Sequence, residues 1–117
     1  MDQFRCFVHL VGDDSAVVTV EGEIDMATGE QFRRCVDDAL SLNTAQIVVD
    51  LSKCPFIDST GLTVFVGACR KGPSALHVVV PHEHVLRVLT ISSLDCILTI
   101  HSSKAEALAA LGRIGIG

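Results

Sequence analysis

Gln46-Ile47-Val48-Val49-Asp50-Leu51, the loop Ser52-Lys53-Cys54-Pro55-Phe56-Ile57, and Asp58-Ser59-Thr60-Gly61-Leu62 form the stretch that decides the fold. The first run is short and β-branched, as a buried strand is, whereas Leu62, Phe65, Val66 and Cys69 recur at i, i+3, i+4 and i+7, one face of a helix. The spacing therefore predicts a strand, a loop and a helix in succession, with Ser59 at the helix entrance. Asp58 is a favoured N-cap residue, so Ser59 and Thr60 open a first turn whose backbone N–H groups lack intrahelical partners. That end of a helix attracts anions, and a phosphate on Ser59 could be carried there without unfolding the domain. It would replace a neutral hydroxyl by a charge of about −1.5 to −2, opposed by the adjacent Asp58 carboxylate. Ordinary helix capping accounts for the same three residues, and at the level of the residues alone both readings stay open.

Upstream, Phe4 to Val11 reads as a strand, Gly12-Asp13-Asp14-Ser15 as a turn and Ala16 to Ile24 as a second strand, together a hairpin. Thr28 with Gln31 forms a capping-box pattern, after which Phe32, Cys35, Val36, Ala39 and Leu40 make a helical apolar stripe. Its polar side carries Glu30, Arg33, Arg34, Asp37 and Asp38, an ordinary solvated face.

Downstream, Val64 and Ala68 widen the second helix's stripe, so this helix is expected to be either centrally buried or greasy for a partner. Gly72-Pro73 stops it. Ala75 to Val80 predicts a strand, and Pro81 suits the first turn of a short helix with Val85, Leu86 and Leu89 inward. Cys96 to Ile100 predicts a last strand, and Ser103 with Glu106 caps a closing helix with Ala107, Leu108 and Leu111 inward. The alternation implies an α/β domain, a mixed sheet of about five strands packed with about four helices. A single domain is expected over 1–117, its core at about 4–111.

With 49% hydrophobic residues and a mean hydropathy of +0.47, the 117 residues can bury a core. A formal charge of −5 with nine Lys plus Arg and no basic cluster gives no footprint for nucleic acid or anionic lipid. No apolar stretch approaches the ~20 residues of a membrane span, and no secretion signal is evident, so a soluble cytoplasmic protein is expected. The five cysteines include no C-x-x-C pair. They read as reduced packing residues, Cys35 and Cys69 on helix faces, with the loop residue Cys54 as the thiol expected near the surface.

Other chemistry fares poorly. Asp58-Ser59-Thr60-Gly61 differs by one residue from the aspartic-protease signature and opens a helix rather than sitting in an all-β site. Ser59 lies in no Gly-x-Ser-x-Gly elbow. His82 and His84, two apart at a helix start, point in different directions, and His9, His77 and His101 are scattered, so no metal is expected. No cofactor motif is present, and an enzyme is not expected.

Two segments resemble the STAS domain of sulfate transporters and anti-sigma factor antagonists, especially the free-standing bacterial anti-anti-sigma factors. They are Glu21-Gly22-Glu23-Ile24-Asp25, and Val48 to Ser52 through Phe56-Ile57-Asp58-Ser59-Thr60-Gly61-Leu62. The resemblance spans about Val8 to Leu111, and its specific part is the Asp-Ser-Ser/Thr-Gly-Leu that opens a helix, with Thr60 where Ser is commoner. It implies that Ser59 is phosphorylated by an anti-sigma factor with ATP-dependent serine kinase activity, Thr60 being a secondary acceptor, and that a phosphatase resets it. The unphosphorylated form would bind the anti-sigma factor and free a sigma factor. It further implies a partner-binding surface of Asp25, Met26, Asp58, Ser59, Thr60, Gly61 and Leu62. A different member of the family is the alternative: a subunit of a lipid-transport ATPase or stress-signalling scaffold with a permanent interface.

Overall fold

A computed structural model describes residues 3–71, 75–94 and 97–116. The elements are β1 (Arg5–Val11), β2 (Ser15–Glu21), α1 (Gly29–Ser41), β3 (Gln46–Lys53), α2 (Ser59–Lys71), β4 (Ala75–Val79), α3 (Glu83–Ile91), β5 (Thr99–His101) and α4 (Lys104–Ile116). They build one five-stranded sheet in the order β1-β2-β3-β4-β5, antiparallel between β1 and β2 and parallel thereafter. The predicted α/β class and element order are what the chain forms.

The hairpin turns at Gly12, whose φ of 65° is the left-handed region that glycine enters without steric cost. Asp14 then ties this turn to the start of β3: its Oδ1 accepts from the Ala45 N–H at 2.8 Å. Strand alternation sorts the side chains into two layers. Ala16, Val18, Val20, Ile47, Val49, Leu51, Leu76 and Val78 face the core shared with Phe32, Phe65, Val85 and Leu89 of α1, α2 and α3. Val17, Val48 and Val79 face the opposite side, covered by Ala107 and Leu111 of α4. Phe32 and Phe65 meet edge to face at 5.6 Å, the aromatic contact between α1 and α2.

Several local expectations are corrected. Thr28 precedes α1, but its side chain makes no cap bond to the helix; its Oγ1 donates to the Glu23 carbonyl at 2.7 Å and accepts from the Asp25 N–H at 2.9 Å. The hydroxyl is committed to the turn before the helix, so no capping box with Gln31 forms. Cys54 is fully buried, its Sγ 3.2 Å from the Phe56 carbonyl, because the loop folds back under the strand ends. Burial pushes its thiol pKa up. Pro81 lies before the α3 cap residue His82 rather than in the first turn. Leu86 is 37% exposed, and Val88 packs against the core as the half-buried neighbour of Val85 and Leu89. Ser103 Oγ accepts from the Glu106 N–H as the capping box requires, but the Glu106 carboxylate reaches Ser102 rather than Ser103. Gly72-Pro73 and Cys96 lie outside the described residues, and the last strand begins at Thr99.

Candidate functional site

The site is built at the carboxyl ends of two adjacent parallel strands, β2 and β3. The register of β2 on β3 shifts between Thr19 and Glu21, and Gly22 follows with a φ of 108°, yet pairing continues into the loops. Gly22 N–H donates to the Lys53 carbonyl at 2.9 Å, Ile24 N–H to Phe56 at 3.0 Å, and Asp58 N–H to Ile24 at 3.1 Å. These bonds and the Ile24–Ile57 bridge zip the loop before α1 to the loop before α2. The two helices thereby begin side by side.

Gly61 is part of the reason. It is buried, and a Cβ there would lie 2.5 Å from Ile57 Cγ1 and 2.8 Å from Ile24 Cγ2. Gly29, at the head of α1, presses on Thr60, where a Cβ would meet Thr60 Cγ2 at 2.2 Å. Small residues at both helix starts let the backbones approach. Gly61 is thus a packing residue rather than a contact offered to a partner.

Asp58 caps α2 as expected. Its Oδ1 accepts from the Thr60 N–H at 2.9 Å, while its carbonyl accepts from Gly61 and Leu62. Ser59 is the first residue of the helix and is exposed. Its carbonyl accepts from Thr63 Oγ1 at 3.0 Å. The cap is therefore made by Asp58, and the Ser59 hydroxyl stands at the surface. Thr60, half-buried against Gly29, is the less accessible of the two hydroxyls.

Two grooves meet at Ser59. One, of 380 Å³, runs between the helices and is lined by Gly29, Glu30 and Arg33 of α1 with Ser59, Thr60, Thr63 and Val64 of α2. The other, of 290 Å³, is more apolar and is lined by Ser59, Leu62, Thr63 and Val66 with Ser92 and Leu94 beyond α3. Of the two expectations for α2, the greasy one fits: Gly61, Phe65 and Ala68 are buried, while Leu62, Val64 and Val66 are half-exposed. Met26, in the loop between Ile24 and the start of α1, is 87% exposed.

Asp25 is placed differently. Its Oδ1 accepts from the Ala27 N–H at 2.9 Å and the Thr28 N–H at 3.1 Å, organising the turn into α1. It lines a separate cleft with Gly22, Glu23, Lys53 and Pro55, not the grooves that Ser59 lines.

The STAS domain model matches residues 8–107. The chain belongs to the STAS domain family. It is 30% identical over 103 residues to the anti-sigma-F factor antagonist RsfB of Mycobacterium tuberculosis, covering 85% of this chain and 84% of that one. It is also similar to the crystal structure of an anti-sigma factor antagonist from Mycobacterium paratuberculosis. That match has a TM-score of 0.84 and 25% identity, over 92% of this chain and 93% of the other. The phosphorylated form of the Bacillus cell fate determinant SpoIIAA shares the fold, with a TM-score of 0.65 and 20% identity over 93% and 99% of the two chains. Seen as a STAS domain, the chain carries the α2 entrance at the carboxyl end of the sheet, where the interior strands β2 and β3 finish side by side.

Sequence reasoning missed three arrangements. His82 Nε2 lies 2.8 Å from the Ser52 carbonyl and His84 stacks on Phe56 at 5.6 Å, so α3 props the loop before Ser59. His77 and His101, scattered in sequence, are brought together across β4 and β5. Arg33, on the ordinary polar side of α1, forms a wall of the groove that Ser59 enters. Strand register was the missing signal for the histidine pair, and the packing of α3 on the loop and of α1 beside α2 was the missing signal for the other two. Among the described residues no group of three or more His, Cys, Asp and Glu side chains is placed to hold a metal, and no helix is long and apolar enough to cross a membrane.

Proposed function

We propose that this STAS domain is an anti-sigma factor antagonist: a cytoplasmic, non-enzymatic binding protein that switches partners through phosphorylation of Ser59. The observation that carries the reading is the division of labour at the α2 entrance, where Asp58 makes the cap bond and leaves the neighbouring hydroxyl exposed. The names of its relatives support the same reading.

The partner is an anti-sigma factor that is also an ATP-dependent serine kinase. Ser59 Oγ bonds the γ-phosphorus as the bond to the β–γ bridging oxygen breaks. ADP leaves with that electron pair, and the hydroxyl proton passes to a base of the kinase. Unphosphorylated, the surface of Asp25, Met26, Asp58, Ser59, Thr60 and Leu62 holds the anti-sigma factor and a sigma factor goes free. A dianion at the junction of the two grooves then repels that contact, and a phosphatase restores it.

Affinity capture with Ser59→Ala and Ser59→Asp baits tests this. An ATP-binding serine kinase retained by the first and lost by the second is the expected result. Equal retention of the same transporter or scaffold proteins by both would overturn it in favour of a permanent STAS subunit.

A further inference from the structure

Arg33 stands in an unusual electrostatic position for an exposed arginine. Its Nε donates to Glu30 Oε2 at 3.0 Å, a second nitrogen contacts the other Glu30 oxygen, and Nη1 donates to Asp37 Oδ2 at 2.6 Å. Both carboxylates also have another cation. Arg34 Nε is 3.7 Å from Glu30 Oε1, and Lys71 Nζ, at the end of α2, is 3.2 Å from Asp37 Oδ1. Three cations therefore share two carboxylates, and Arg33 is the member that both carboxylates can release without losing their last partner.

The same side chain walls the groove that Ser59 opens into, one helical turn beyond Gly29, the residue locked against Thr60. Solvent-exposed pairs of this kind contribute little, because water screens them and holding two long side chains together costs entropy, so little holds Arg33 where it is. A phosphate dianion offers a planar guanidinium a bidentate, charge-assisted contact that is stronger than a pair with one carboxylate in water.

We propose that Arg33 is the intramolecular clamp of the phosphorylated state: on modification of Ser59 it swings from Glu30 and Asp37 to the phosphate, while Arg34 and Lys71 keep those carboxylates paired. The clamp holds the phosphate against the α1–α2 seam and removes Arg33 from the unphosphorylated surface. The switch thereby alters both the charge at Ser59 and the charge pattern along α1. This rests on Ser59 being the phosphoacceptor.

The test places phosphoserine at position 59 during translation, so that it does not depend on any kinase. ³¹P NMR titration of the phosphate is compared in the otherwise unaltered chain, in Arg33→Gln and in Arg34→Gln, with folding of each checked by circular dichroism. The expected result is a titration midpoint about 0.5 pH higher in Arg33→Gln, since a nearby cation favours the dianion, and little change in Arg34→Gln. The Arg33 ¹⁵Nε resonance should also move when phosphoserine replaces serine. Equal midpoints in all three chains with an unmoved Arg33 resonance overturn the clamp. Failure of a native kinase to modify Ser59 would instead overturn the function proposed above and leave the clamp result standing.

Discussion

His77 Nδ1 lies 2.9 Å from His101 Nε2, and the other His77 nitrogen lies 3.2 Å from Gln46 Oε1. The amide oxygen can only accept, so His77 Nε2 carries the proton and Nδ1 accepts from His101. Adding a proton to His77 places two N–H groups face to face inside the sheet. His77 is 1% exposed, and burial first, then the neighbouring imidazole, lowers its pKa. Hydrogen bonds from Ser102 first, and His101 to a smaller extent, lower the pKa of Glu106 in the first turn of α4.

A base whose folded pKa lies below its unfolded value is bound by fewer protons when folded. Stability from His77 is therefore fully present above about pH 6.5, the ordinary histidine value, and is lost as pH falls from there towards the folded pKa. Urea unfolding at pH 7.5 and pH 5.5 should show a lower midpoint at the acid value, and His77→Gln should flatten that difference. The carboxylates Glu30 and Glu106, held below their usual range by Arg33 and by Ser102, contribute only at more acid pH.

Gly61→Ala should destabilise the domain by about 1–3 kcal/mol, the usual cost of forcing a methyl into a filled core. The new Cβ would meet Ile57 Cδ1 at 2.7 Å and Ile24 Cγ2 at 2.8 Å, both fixed by the zipped loops. Thermal unfolding measures it; an unchanged Tm would show that the loops relax independently of α2.

The two residues that open α2 should separate cleanly. Asp58→Ala removes the acceptor of the Thr60 N–H and should cost about 1 kcal/mol, as lost N-caps do. Ser59→Ala and Ser59→Asp touch an exposed side chain and should each stay within about 0.5 kcal/mol of the parent. Chemical denaturation of the three variants gives the comparison. A large loss in the Ser59 variants would show a structural hydroxyl instead of a surface one.

The elements that repeat a period over many residues were legible in the sequence: the β-branched run of β3, and the Phe32, Cys35, Val36, Ala39 stripe of α1, buried as predicted. Asp58 was legible as a cap because capping is local. What sequence could not supply was register across strands. The pairing of His77 with Thr99 and of Val79 with His101 is what sets the two imidazoles diagonally adjacent. Cys54 was misplaced for a related reason, since its loop is drawn inward by long-range bonds from Gly22 and Ile24. Thr28 satisfied the pattern of a capping box, but a nearer carbonyl and N–H competed for its hydroxyl.

Asp25 is the residue at which binding and folding are entangled, and a pair of substitutions separates them. Its Oδ1 serves the Ala27 and Thr28 N–H groups, so Asp25→Ala should lower stability by about 1 kcal/mol while weakening the anti-sigma partner. Asp25→Asn keeps an oxygen for those donors and removes only the charge, so stability should stay close to the parent. If the partner reads the carboxylate, Asn should weaken binding nearly as much as Ala, measured by titration calorimetry against whichever partner the Ser59→Ala bait retains. If instead the turn matters only because it presents Met26, 87% exposed on its crest, Asn should bind like the parent and Met26→Ala should carry the loss. The zipper of Ile24 to Phe56 and Asp58 makes the first outcome the expected one, because it fixes the position of Asp25 beside the Ser59 loop with or without its own side-chain bonds.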